Sequence, residues 1–267
     1  MDGTKQSRVA VVVPAFNEAR LILGTLKSLQ EQRFDGVFHQ DVLGGFRIIV
    51  VDNGSTDNTV GLVEEFIASK PPVPVELIAE AEKGTGCACD TGFRHAIDSG
   101  ALYVARTDAD ALPDGDWLSE ILAPLVAGRR LVGGRVRARL DEGFRSTVFN
   151  AVGVLWRVGH VIDWFRTRNE PDSERRSFAV CGNNMAIDSE MYIESGGFPR
   201  GAIERVDEDH VLQTRVRAIT GAAGIGLAKN AVVYMSLRRL NAYGVRDFHS
   251  WYNDTDRRAS GRAADIR

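Results

Sequence analysis

Residues 101–110 read Ala101-Leu102-Tyr103-Val104-Ala105-Arg106-Thr107-Asp108-Ala109-Asp110, an apolar run that ends in two carboxylates one residue apart. The run from Ala101 to Ala105 predicts a buried strand, with Asp108 and Asp110 just past its end. Two like charges there repel, and no local neighbour in the sequence is expected to neutralise them. A divalent cation with oxygen ligands would relieve the repulsion, and a diphosphate would supply further oxygens. Asp-x-Asp alone is weak evidence, because it also occurs in ordinary loops. It gains weight from Val51-Asp52-Asn53-Gly54-Ser55-Thr56-Asp57 upstream and Glu208-Asp209-His210 downstream.

Working outward, strand-like and helix-like runs alternate four times up to about residue 105. Val9 to Val13 is a β-rich run stopped by Pro14, and Leu21, Leu23, Leu26 and Leu29 follow at near-helical spacing. Phe46 to Val51 predicts a second buried strand, ended by an Asp52-Asn53-Gly54-Ser55 turn. Thr56 or Asp57 can cap the next helix, which runs to about residue 69. Pro71, Pro72 and Pro74 break it, and Val75 to Ala79 is a third strand. Thr85 to Ser99 predicts a helix before the fourth strand. Leu118 to Val126 then reads as a helix and Leu131 to Leu140 as a strand. This order predicts an α/β chain with a Rossmann-like, mostly parallel sheet, helices on both faces, and one domain. Right-handed crossovers bring the ends of the strands carrying Pro14, Asp52 and Asp108 to one edge, where ligands bind in open α/β sheets.

The second half is less regular. Ser146 to Phe165 predicts an amphipathic helix, Ser177 to Ile187 a strand-like segment, Asp209 to Ile219 a helix and Ala231 to Ser236 a late strand. The expected organisation is a polar lead-in at 1–8 and a domain at 9–250. Within that domain, the regularly alternating half spans 9–110 and the less regular half 111–250. A loose tail at 251–267 follows.

Bulk properties limit the choices. The 267 residues carry a formal charge of −3, so no global basic field attracts nucleic acid. Five of the 33 basic residues are Lys, and the Arg majority suits phosphate recognition, although codon usage in a GC-rich genome is the favoured explanation for most of it. Cys87, Cys89 and Cys181 form no disulfide framework and no zinc spacing, and are expected reduced in the cytoplasm. The N-terminus has no signal-peptide pattern. The longest apolar stretch is broken by Asn150, Arg157, His160 and Asp163, which excludes a comfortable membrane span. Trp156, Trp164 and Phe165 read as core or pocket wall, with peripheral membrane contact through Arg157, Arg166 and Arg168 less favoured.

These motifs, in this order, resemble family 2 glycosyltransferases from about Val9 to about Arg239. Val11-Val12-Val13-Pro14-Ala15-Phe16-Asn17-Glu18 resembles their opening strand and loop, and residues 50–57 their second. Glu82-Lys83-Gly84 through Thr91-Gly92 resembles their Gly-rich segment, Asp108-Ala109-Asp110 their metal motif, and Glu208-Asp209-His210-Val211-Leu212 their acidic helix start. The resemblance implies a GT-A fold, inversion at the sugar, a nucleotide-diphosphate sugar donor (a UDP-sugar favoured) and Mg²⁺ or Mn²⁺. It sets Pro14, Ala15 and Glu18 beside the nucleotide, Asp52 at the base, and Lys83 near the base or diphosphate. It further implies Asp108 and Ala109 on the donor side, Asp108 and Asp110 at the metal, and Asp209 as base toward an acceptor hydroxyl. Glu208, Asn183 and Asn184 fall on the acceptor side.

Bland readings stand beside these. Asp52-Asn53-Gly54 suits a plain turn, and the acidic triplet 207–209 suits a helix start, with Asp207 as cap. His210 reads as an ordinary helix residue. Ser236-Leu237-Arg238-Arg239 brings Arg to the diphosphate or is a solvated basic turn, with equal weight. The chain departs from the family where many members carry Arg-Asn and it has Cys89-Asp90. Lys83 or Arg94 are candidates to replace the missing cation. The Gln-x-x-Arg-Trp motif of processive synthases is absent, which favours single transfer. A nucleotidyltransferase and a catalytically silent nucleotide-sugar-binding protein remain as alternatives.

Overall fold

The computed structural model describes residues 7–33, 45–139, 180–201 and 208–238, together with 141, 143, 146, 147, 149, 150 and 169. Eight strands form one curled sheet. In chain order they are β1 (Val9–Ala15), β2 (Phe46–Asp52), β3 (Val75–Ala79), β4 (Tyr103–Thr107), β5 (Leu112–Pro113), β6 (Leu131–Ala138), β7 (Asn184–Asp188) and β8 (Ile225–Met235). The helices are α1 (Ile22–Gln30), α2 (Thr59–Ala68), α3 (Thr85–Asp98), α4 (Trp117–Val126), α5 (Ser189–Glu194) and α6 (Glu208–Thr220). The spatial order is β3-β2-β1-β4-β7-β6-β8-β5.

β1 to β4 pair only in parallel with one another. Their continuous apolar runs follow from burial on both faces. Successive residues alternate between two cores. Val9, Val11, Val13, Ile48 and Val50 pack with α1 and α4 on one side, where Trp117 is fully buried. Ala10, Val12, Ile49 and Val51 pack with α3, α5 and α6 on the other. There Phe93, Tyr192 and Phe198 stack with ring centroids 4.9–5.7 Å apart. Gly92 permits the close seat of α3, because a Cβ would lie 2.5 Å from a Val12 methyl.

The α/β class with helices on both faces holds. The sheet is more mixed than the mostly parallel one expected: β7 runs antiparallel between β4 and β6, and β5 runs antiparallel to β8. β8 is parallel to β6 and begins six residues before the expected start. The fourth strand runs Tyr103–Thr107, two residues later than expected, which places Arg106 inside it. Most of the expected helix at 146–165, including Trp156, Trp164 and Phe165, lies outside the described residues, as do Asp207 and the tail. No described helix is long and apolar enough to cross a membrane.

The topology decides where the polar residues meet. β1, β2, β3 and β4 all end at one edge. β7 starts there, since Asn184 pairs with Thr107, and β8 ends there, since Met235 pairs with Ala138. Residues 14–18, 52–57, 80–84, 108–110, 181–183 and 236–238 therefore share one rim.

Candidate active site

Two asparagines tie the first three loops together. Asn17 adopts a left-handed backbone (φ 53°), which Asn tolerates better than most residues. Its Oδ1 accepts from the N–H groups of Thr56 (2.5 Å) and Asp57 (3.2 Å), and its own N–H donates to Ser55 Oγ. Asn53 Nδ2 donates to the carbonyls of Glu80 and Glu82, and its Oδ1 accepts from Gly84 N–H at 2.9 Å. Glu18 N–H donates to Thr59 Oγ1. The rim is thus fixed before any ligand arrives.

On that rim, Pro14 and Ala15 close β1 and Glu18 sits buried just beyond. Asp52 accepts from the Gly54 N–H (3.1 Å) and the Ser55 N–H (3.2 Å), so its carboxylate does build the turn. Lys83 Nζ donates to the carbonyls of Asn53 and Gly54 and lies 3.7 Å from the Phe16 ring centroid. Gly84 has φ 142°, and a Cβ there would meet the Gly201 carbonyl oxygen at 2.1 Å. The loop at 199–201 therefore covers the start of α3. Arg200 clamps it by donating to Glu80 (2.8 Å) and Glu82 (2.9 Å).

The acidic centre differs from expectation in one respect. Asp108 is neutralised locally: Arg106 Nη2 lies 3.2 Å from Asp108 Oδ1 and 3.3 Å from Glu208 Oε1. Arg106 is only 2% exposed. Burial holds the Cys89 thiol neutral, and Arg106 is a buried cation of this centre, while Lys83 is held by the Asn53 and Gly54 carbonyls. Arg94 is engaged with Asp90 at 3.0 Å, and Asp90 also accepts from Tyr192 Oη. Burial pushes the Glu208 carboxyl above its usual range, with Arg106 pulling the other way.

Arg238 is paired inside the site at 23% side-chain exposure, which speaks against a plain solvated turn. It forks onto Glu18, with Nη1 donating to Oε2 at 2.7 Å and Nη2 to Oε1, and Nη2 lies 3.0 Å from Asp110 Oδ2. Burial raises the Glu18 carboxyl against the pull of Arg238, and Asp110 and Asp108 raise it further. Glu18, Asp108 and Asp110 thus form one electrostatic unit.

Asp209 sits in the first turn of α6. Its Oδ2 accepts from the Gly182 N–H and its Oδ1 from the His210 N–H, each at 2.8 Å. His210 is exposed. Asn183 is half-buried, with its amide 4.0 Å from Met235 Sδ. Asn184 is fully buried: it accepts from Trp117 Nε1 and donates to the carbonyls of Arg135 and Ala231. Those bonds spend its amide in the core, so it is not offered to an acceptor.

No three His, Cys, Asp or Glu residues form a metal cage among the described residues. The donor set at Asp108 and Asp110 is nonetheless hard oxygen on one rim. That fits Mg²⁺ or Mn²⁺, which take one or two carboxylates and complete the shell with phosphate and water.

The family described as Glycosyl transferase family 2 matches residues 10–191. Among curated relatives, the UDP-N-acetylglucosamine--dolichyl-phosphate N-acetylglucosaminyltransferase of Methanococcus voltae is 27% identical over 48% of this chain and 52% of its own length. The undecaprenyl-phosphate 4-deoxy-4-formamido-L-arabinose transferase of Proteus mirabilis is 27% identical over 57% and 44%. The chain spans about half the length of the curated relatives it matches. Among solved structures, a mannosyltransferase from Pyrobaculum calidifontis in complex with GDP-Man and Mn²⁺ superposes with TM-score 0.60 at 25% identity, covering 94% of this chain and 61% of that one. S. aureus TarS in complex with UDP-GlcNAc superposes with TM-score 0.55 at 16% identity, covering 97% and 68%.

Proposed function

The chain belongs to glycosyl transferase family 2 and is a glycosyltransferase of GT-A fold, and from that premise we propose a metal-dependent, inverting, single transfer from a nucleotide-diphosphate sugar to an acceptor hydroxyl in the cytoplasm. The observation that carries the reading is one rim on which Arg106 joins Asp108 to Glu208, Arg238 reaches Asp110, and Asp209 follows Glu208 in the first turn of α6.

Each residue has a role set by its surroundings. Pro14, Ala15 and Glu18 flank the nucleotide. Asp52 accepts from the base N–H, since the turn leaves carboxylate lone pairs over. Lys83, held over Phe16, borders the base. Asp108 and Asp110 face the ribose and diphosphate and would hold the cation; Ala109, expected on the donor side, is instead buried in the core with its carbonyl accepting from Thr25. When bound, that cation supplies Lewis-acid stabilisation of the departing diphosphate. Asp209 takes the proton of the attacking hydroxyl from the face opposite the leaving group, which inverts the anomeric centre. The two amide N–H groups on its carboxylate fix its aim. Glu208 and Asn183 border the acceptor. Two relatives are named for lipid-phosphate acceptors, so that class belongs in the acceptor screen.

The test is calorimetry and thermal shift with UDP, GDP, dTDP and their sugars, with Mn²⁺ or EDTA, followed by single-turnover transfer. A UDP-sugar is the first donor to try. At a hundred times its dissociation constant the right ligand adds about 2.7 kcal/mol of stability. Equal affinity in Mn²⁺ and EDTA would remove the metal from the reaction. Donor binding without turnover on any acceptor would favour a silent binding protein.

A further inference from the structure

Arg238 is held in a position that the transfer reaction alone does not require. Its guanidinium is anchored on Glu18 by two hydrogen bonds and reaches Asp110 Oδ2 at 3.0 Å, with side-chain exposures of 23% for Arg238, 11% for Glu18 and 18% for Asp110. The placement is built into the fold. β8 pairs with β6 along its length and with β5, the strand that immediately follows the Asp108–Asp110 loop, through Leu112↔Tyr234 and Pro113↔Val233. Residue 238 therefore emerges beside residue 110. A second observation points outward: Arg238 Nε is buried and has no hydrogen-bond acceptor. A buried, unmet N–H on a guanidinium is a donor awaiting an oxygen.

Resting on the proposed donor chemistry, we propose that Arg238 is an internal counter-ion of the cation site, which it holds until a diphosphate draws the guanidinium off Asp110. A divalent ion bound to Asp110 must share that carboxylate with a positive charge already in hydrogen-bond range. The cation alone therefore binds weakly. A diphosphate brings negative oxygens suited to the guanidinium fork and gives Nε its acceptor. Nη1 stays on Glu18 while Nη2, which Glu18 and Asp110 share, turns to the diphosphate. Asp110 is then released to the cation, and cation and donor bind with positive coupling, each improving the other's affinity by the same factor. No bond is made or broken in this exchange.

Mn²⁺ binding without nucleotide, read by electron paramagnetic resonance of the free ion, tests the idea on the full chain. Arg238→Gln should bind Mn²⁺ alone at least tenfold more tightly than wild type, and should bind UDP or GDP in EDTA at least tenfold more weakly. The Mn²⁺–nucleotide coupling should shrink toward one. Arg238→Lys keeps the charge but loses the fork, so Mn²⁺ alone should stay weak while nucleotide affinity falls. Unchanged or weaker Mn²⁺ binding by Arg238→Gln, with a wild-type melting curve, would overturn the proposal. If Arg238→Gln melts early, Arg238→Lys decides: wild-type nucleotide affinity in that variant would sink it. Wild type that binds no nucleotide diphosphate under any condition speaks against the donor reading, whereas the Mn²⁺-only comparison still judges the counter-ion.

Discussion

Replacing Arg106 with Met should cost more stability than its place in a loop-rich site suggests, and the cost should depend on pH. The guanidinium is 2% exposed and lies 3.2 Å from Asp108 and 3.3 Å from Glu208. Asp108 is 35% exposed and can be rehydrated; Glu208, at 12%, cannot. Met fills much of the stem volume, so the main loss is the charge. Breaking a buried pair and stranding one partner costs about 3–5 kcal/mol. With a urea slope near 3 kcal/mol/M, the midpoint should fall by roughly 1–1.7 M at pH 7. The sign follows from Glu208, whose folded pKa lies above 4.5 because of burial. The folded state therefore keeps a proton that the unfolded chain releases, and stability falls as pH rises from 4.5 through the folded value. Removing Arg106, which opposes that shift, moves the folded value higher and extends the window. The deficit of the variant should be smaller near pH 4.5, below the raised folded value of Glu208, than at neutral pH. Arg106→Met/Glu208→Gln should recover most of it at pH 7. Urea melts of the three proteins at pH 4.5 and 7 decide the matter. A deficit equal at both pH values, with no rescue by Glu208→Gln, would show that Arg106 acts by packing alone.

Three further outcomes are expected. Asp209→Asn keeps an oxygen for the Gly182 N–H but cannot take a proton. Donor affinity should therefore survive while single-turnover transfer falls about 10²–10⁴-fold and the acidic limb of the pH–rate profile disappears; near-normal transfer would reduce the acidic triplet to a helix start. Asp52→Ala removes the acceptor of two turn N–H groups, so it should lower stability by about 1–3 kcal/mol and weaken nucleotide without changing Mn²⁺ affinity, as separate titrations would show. Gly84→Ala needs both a left-handed backbone and space held by Gly201, so it should cost about 1–3 kcal/mol from the backbone alone and expose the 199–201 loop to protease, with unchanged cleavage speaking against the cover over α3.

The first half of the fold was readable because its information is local. Parallel strands buried on both faces appear as unbroken Val and Ile runs, as in β1 and β2, and the loops after them end in turn formers. The order of β7, β6 and β8 was not readable. Their pairing is set by contacts between segments separated by some fifty to a hundred and twenty residues, and Gly226, Lys229 and Asn230 interrupt the pattern at the start of β8. Asn184 shows the same limit. Next to Asn183 it reads as a hydroxyl-binding amide, yet the crossing of β7 past Trp117 and Ala231 turns it inward.

The charges show where a finer reading was possible and where it was not. Ending the fourth strand at Ala105 left Asp108 without a partner. Carrying it through Thr107 puts Arg106 and Asp108 two apart along an extended chain, where side chains share a face. That i, i+2 pair was a signal in the sequence. Its second partner was not, because Glu208 lies 102 residues away and reaches Arg106 only through the seat of α6. Arg238 stood out as part of a basic run at 236–239, but its partners did not: they depend on β8 emerging beside the loop after β4, 220 residues from Glu18. The carboxylates that announce the site are therefore readable as chemistry, while the distant partners of the two arginines are readable only as topology. Mutating an aspartate tests what this chain shares with its family. Mutating Arg106 or Arg238 tests how this particular chain balances the same negative charge, and the two arginines should differ: loss of Arg106 appears in folding stability, and loss of Arg238 in the linkage between cation and nucleotide.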